Sequence, residues 1–160
     1  MRKILLVMVL AVSGMFAANA QVDGNAIGLR LGYGAEISYQ HALGDANRLE
    51  LDLGTSIGSG YFGAGLTGAY HWVFDLSTLS KGFNWYVGPG AHFALWNYKA
   101  VGSIEGRTDF ALGIAGQIGI EYNLENIPLQ LSLDYRPVFY FLPSTGGGWD
   151  SICFGVRYKF

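Results

Sequence analysis

A two-residue alternation of apolar with small or polar side chains runs through almost the whole chain and limits its fold more than any other feature. Ile27, Leu29, Leu31, Tyr33, Ile37, Tyr39, His41 and Leu43 are interleaved with Gly28, Arg30, Gly32, Glu36, Ser38 and Gln40. Leu49, Leu51 and Leu53 alternate with Glu50 and Asp52, and Phe62, Leu66, Tyr70, Trp72 and Phe74 with Gly63, Gly65, Thr67 and His71. Trp85, Val87, Ala91, Phe93 and Leu95 oppose Asn84, Gly88, Gly90 and His92. Phe110, Leu112, Ile114, Ile118, Ile120 and Tyr122 oppose Gly113, Gln117 and Glu121. Leu129, Leu131, Leu133, Tyr135, Phe139 and Phe141 oppose Gln130, Ser132, Asp134 and Arg136, and Ile152, Phe154, Val156, Tyr158 and Phe160 oppose Ser151, Gly155, Arg157 and Lys159. Side chains alternate across a strand, so this period marks β-strands with one apolar face.

Turn-forming residues separate the segments: 44–47, 58–60, 77–82, 97–107, 123–127 and 143–150. The first break is placed at Gly32-Tyr33-Gly34, where an unchanged parity fits a three-residue hairpin and also one long bent strand. With the hairpin there are eight strands. Pro89 and Pro137 cannot donate to a ladder, so each is expected to mark a bulge or a strand end. Leu53 to Phe74 carries no Asp, Glu, Lys or Arg over 22 residues, long enough for a membrane helix. Its six glycines, each costing a helix about 1 kcal/mol against Ala, and its alternation rule that out.

The first twenty residues stand apart. Arg2-Lys3 precedes an unbroken apolar run from Ile4 to Val12, and Ala18-Asn19-Ala20 has the small-x-small form of a cleavage site. This predicts an export signal over 1–20, cut after Ala20, with a barrel domain over 21–160. The apolar run is too short to span a bilayer as a helix.

Alternation alone does not say which face is wet. A soluble barrel turns its apolar face inward; a membrane barrel turns it to lipid. The apolar parity of all eight strands holds no Asp, Glu, Lys or Arg. The opposite parity is dominated by Gly, Ala, Ser and Thr, which makes a poor water-facing surface but suits a crowded lumen. Only 14% of the residues are charged and 24 are Gly, against about 25% charged in an ordinary soluble domain. Aromatics gather at strand ends (Tyr70, Trp72 and Phe74, Trp85, Phe139 and Phe141, Tyr158 and Phe160), as in interfacial girdles. A ten-residue strand tilted about 45° spans roughly 23 Å, close to the apolar band of such barrels. The predicted fold is all-β: an eight-stranded antiparallel up-and-down transmembrane barrel. A soluble periplasmic ligand-binding barrel is the alternative.

On these features the chain resembles the small eight-stranded outer-membrane β-barrels of Gram-negative bacteria, of the OmpA/OmpX-like type. The resemblance covers Gln21 to Phe160 and includes the ending Phe154-Gly155-Val156-Arg157-Tyr158-Lys159-Phe160. It implies residence in the outer membrane, contact with its lipid, and recognition by the assembly machinery through the C-terminal strand, with Tyr158 and Phe160 as the signal. Family loops are often long, whereas these are short. With both termini periplasmic, 97–107 and 142–149 are the two external loops with reach enough to meet a surface partner. Gly146-Gly147-Gly148 is expected to make the second of these mobile.

The lumen parity collects Glu36, Glu50, Asp52, Asp75, Glu121 and Asp134 against Arg30, Arg136, Arg157 and Lys159. Eight strands leave a bore only wide enough for side chains, so the ten are expected to form a paired charge network that fills it. A narrow pore is the other reading. His71, His92 and Cys153 share that parity, whereas His41 has the lipid parity. No His-x-His or His-x-x-x-His spacing suggests a metal; the resemblance leaves a lipid A-modifying enzyme as an alternative, although the His-x-Ser spacing of such deacylases is absent. No cofactor is expected. A net charge of −2 offers no surface for nucleic acid. The expected role is structural or surface-interacting, as a monomer.

Overall fold

In the computed structural model the chain is described over residues 22, 24–32, 34–99, 106–149 and 151–160. The export signal with Ala18 and Ala20, the tip residue Tyr33, the middle of the 97–107 loop and Asp150 lie outside the described residues.

Each alternating segment forms strand. They are β1 (Ala26–Leu31), β2 (Ala35–Gly44), β3 (Asn47–Gly58), β4 (Tyr61–Asp75), β5 (Phe83–Tyr98), β6 (Arg107–Asn123), β7 (Leu129–Tyr135), β8 (Val138–Leu142), β9 (Gly146–Gly148) and β10 (Ile152–Lys159). All pairings are antiparallel. β7 and β8 run end to end along β6 as one stave, and β9 and β10 make the next. β10 pairs with β1 and β5 with β6, which closes a ring of eight staves. Closure leaves no long free edge, which an exposed apolar ladder would otherwise offer to other chains.

The first break is a hairpin. Leu31 pairs with Ala35, and the Gly32 N–H donates to the Gly34 carbonyl at 3.0 Å. The other turns at that end are Ser59-Gly60, where Gly60 takes φ +91°, the β5–β6 connection, and the segments flanking β9. Both described termini and the remaining turns lie at the opposite end, where Asn25 and Phe160 exchange backbone hydrogen bonds. These are called the loop end and the terminal end. Tyr158 pairs with Ile27 and Leu129 on the outer surface near the terminal end.

The two prolines behave differently. Pro137 separates β7 from β8, as a residue without an N–H should, although its carbonyl still accepts from Gly116 at 3.1 Å. Pro89 neither ends β5 nor shifts its register. Ladder pairing to β6 continues through Pro89↔Gly116, and only the partners of Tyr70 and His71 on β4 drop out. The missing N–H is therefore confined to one side of the strand. Beside it Gly88 is packed so closely that a Cβ would sit 1.6 Å from the Tyr70 carbonyl oxygen.

The expected mobile glycine run is a second correction. Gly146–Gly148 is β9, laddered to Val138–Tyr140 of β8. An antiparallel ladder is made by backbone, so three glycines can join it, and Trp149 folds back over Gly147.

The faces are inverted relative to a soluble barrel. Leu53, Ile114 and Ile152 are 59%, 59% and 66% exposed, whereas Arg30, Glu50 and Arg157 are completely covered. Aromatic pairs on the outer surface near the terminal end include Phe74 stacked on Trp85 at 4.5 Å and Tyr70 edge-on to Trp72 at 5.2 Å.

Candidate functional site

The polar parity of the eight staves meets in the lumen, and cross-strand register sets its layers. Arg30 on β1 is directly opposite Glu36 on β2. Its guanidinium donates to Glu36, to Asp52 at 2.8 Å and to Asp134. Arg136, between β7 and β8, donates to Glu36 and Asp52 from the other side. Below this cluster Arg157 donates to Ser38 Oγ at 2.9 Å, Ser132 Oγ at 2.8 Å and Glu50 Oε2 at 2.9 Å. Glu50 also accepts from Gln40 at 2.6 Å and Gln117 at 2.9 Å. Nearest the terminal end Arg48 donates to Glu121 at 2.6 Å and lies 4.6 Å over the Tyr86 ring. The Tyr86 hydroxyl donates to Asp134 at 3.0 Å and links this layer to the first. Charges removed from water must be paired and hydrogen-bonded, and here each buried carboxylate faces at least one guanidinium.

Lumen glycines make room for these long side chains. A Cβ on Gly54 would meet Glu36 Cγ at 2.7 Å, and one on Gly119 would meet the Tyr86 hydroxyl at 2.7 Å. On Gly155 it would lie 2.4 Å from Ser132 Oγ and 2.9 Å from Arg157 Nη1.

Of the ten residues expected in the network, the structure brings together Arg30, Glu36, Glu50, Asp52, Glu121, Asp134, Arg136 and Arg157. Asp75 and Lys159 are not part of it. Asp75 closes β4 and accepts from the Ser77 backbone and hydroxyl, both at 2.7 Å. Lys159 closes β10 at the terminal rim, where its backbone N–H donates to Pro128. Parity gives the direction of a side chain, whereas depth decides its partners, and both residues lie at the mouth. Arg48 was missed by the sequence reasoning. It shares parity with Glu50 and Asp52, but it directly follows the 44–47 turn and reads as part of it.

The network fills only part of the bore, a correction to the expectation of a fully occupied lumen. Toward the loop end the barrel opens into a cavity of about 590 Å³. Glu36 and Arg136 lie on its lining together with His92, Trp96, Tyr140, Tyr61, Tyr98 and Trp149. The space exists because much of the remaining wall is small: Gly34, Gly54, Gly65, Ala94, Gly147, Gly148, Ser151 and Cys153. Tyr140 meets His92 and Trp96 edge-on, each with centroids 5.9 Å apart. His92 Nδ1 lies 2.8 Å from the Thr67 hydroxyl, which is 1% exposed and out of reach of a substrate. His41 stands apart near the terminal end, 2.9 Å from Asn25 Oδ1.

No protein-family model and no curated protein sequence matches the chain. Solved structures do. The chain superposes on Neisserial surface protein A with a TM-score of 0.58 at 15% identity, covering 85% of this chain and 93% of that one. It superposes on the N-terminal β-barrel domain of Pseudomonas aeruginosa OprF with a TM-score of 0.62 at 14% identity, covering 85% and 95%. At such low identity the likeness is one of fold. The closed ring and these matches give the chain the fold of a small eight-stranded antiparallel β-barrel, with its apolar face turned outward.

Proposed function

We propose that the chain is exported, loses residues 1–20 after Ala20, and resides in the outer membrane as a monomeric barrel whose role is structural or surface-interacting. The observation that carries this reading is the inversion of its faces. Arg and Glu side chains are covered in the interior while Leu, Ile and Phe cover the exterior. In water that exterior would be one continuous aggregation-prone patch; against acyl chains it is the favourable surface. The likeness to a Neisserial surface protein supports the reading. The terminal end faces the periplasm and the loop end faces outward, which presents 142–149 and the β5–β6 loop to any surface partner. The charge network acts as a plug, and the barrel does no chemistry of its own.

Cell fractionation with a heat-modifiability gel tests this. The folded protein should stay in the outer-membrane fraction and migrate differently before and after boiling. Mass analysis should find the chain starting at Gln21. A soluble periplasmic product with no gel shift would overturn the reading.

A further inference from the structure

The ion pairs of the plug are unequally distributed along its axis. Toward the terminal end Glu121 is matched by Arg48 and Glu50 by Arg157. Beneath the open cavity three carboxylates, Glu36, Asp52 and Asp134, share two guanidiniums, Arg30 and Arg136. One formal negative charge is therefore left over in this cluster. Within the cluster Asp52 Oδ1 and Arg30 Nε are both buried with no hydrogen-bond partner, while Asp52 Oδ2 takes both arginines. Of the five, Glu36 and its partner Arg136 are on the cavity lining, and the carboxylate is the more open of the two, with 18% of its side chain exposed against 5%.

Above this floor the cavity wall is aromatic. Trp96 and Tyr140 meet edge-to-face, as do Tyr140 and His92, and Tyr61 and Tyr98 pack at 6.2 Å across the β4–β5 ladder. Ring faces attract cations, most strongly where water is partly excluded, and alkylated ammonium ions are favoured because their hydration is weak. A volume of about 590 Å³ is in the range of small-molecule sites.

We infer that the loop-end cavity is a binding site for a small alkylated or aromatic ammonium ion, held against the Trp96 and Tyr140 rings above Glu36. The cation neutralises the excess carboxylate charge, and an anion of the same size is repelled by it. The site lies within the lumen and is independent of where the barrel resides in the cell.

Calorimetric titration of the purified barrel in octyl glucoside, a detergent without a cationic head group, tests the site. The probe is benzyltrimethylammonium chloride, with benzyl alcohol as neutral and sodium benzenesulfonate as anionic counterpart. The cation should bind saturably at one site, at least about tenfold tighter than the alcohol, and the sulfonate should not bind. Ala94→Phe, which fills the cavity from its wall, and Trp96→Leu, which removes one ring face, should each weaken the cation about tenfold or more. Trp72→Leu on the outer surface should leave it unchanged. Folding of each variant is read from its heat-modifiability shift, and either cavity variant suffices if the other does not fold. Equal affinity for the alcohol, no saturable binding of the cation, or undiminished binding in a folded cavity variant would overturn the assignment.

Discussion

Arg30 shows what one buried charge does here. Its guanidinium is fully covered and faces Glu36, Asp52 and Asp134 together. Arg30→Met removes the charge, retains much of the volume, and strands three carboxylates. Loss of one partner of a buried pair costs about 3–5 kcal/mol. We expect a destabilisation of that order in urea unfolding followed by Trp fluorescence. Arg107 is the contrast. Its pair with Asp109 is 71% and 37% exposed, and such pairs contribute about 0–1 kcal/mol, so Arg107→Ala should be nearly neutral in the same assay. Arg30, Glu50 and Arg157 could be read as inward-facing from parity alone, because period two fixes the face. Their partners could not. Which carboxylate reaches which arginine depends on register across β1, β2, β3, β7 and β10, and register is absent from any single segment. The same gap explains Asp75 and Lys159, which have the right face at the wrong depth, and Arg48, hidden beside a turn.

The staves were legible as elements because the apolar face is unbroken and each turn carries Gly, Asn, Asp, Ser or Pro. Their irregularities were not. Pro89 looks like a strand end in sequence, yet β6 holds it in register from the side that needs no N–H. Gly146–Gly148 looks like a flexible tip, yet β8 pairs with it. In both cases a neighbouring strand decides the outcome. The apolar face of β3 gives a prediction at this scale. Leu51 lies mid-stave between Tyr39 and Gly68, and Ile57 lies at the loop-end rim opposite Phe62. Leu51→Arg should destabilise the barrel in lipid vesicles by about 2–4 kcal/mol, and Ile57→Arg by only about 0–1 kcal/mol, because lipid penalises charge by depth. Denaturant titrations in the same vesicles check this, and equal costs would contradict a lipid-facing β3.

For the whole molecule, closing eight staves leaves a narrow bore, and the residues on its inner parity divide it into a plug and an open cavity. Low charge content follows from the same geometry. The exterior excludes charge, and the bore holds few side chains that need it. The plug crosses the lumen from Arg136 to Arg48, so the intact barrel in planar bilayers should show no stable conductance on the nanosiemens scale. Sustained openings of that size would contradict the plug. The inward parity of Tyr61, Trp96 and Tyr140 near the mouth was legible in the sequence; the size of the cavity they line was not, because emptiness arises from where small residues from several staves coincide.

The central claim is that the apolar exterior faces lipid and the polar interior does not. The chain has four tryptophans, of which Trp72 is on the outer surface and Trp96 lines the cavity. Two variants, each keeping one of these and replacing the other three by Phe, can be folded into vesicles of brominated phosphatidylcholine. Bromine quenches only tryptophans it can touch. The account predicts strong quenching of Trp72 and weak quenching of Trp96; the reverse order, or no quenching of Trp72, would contradict it.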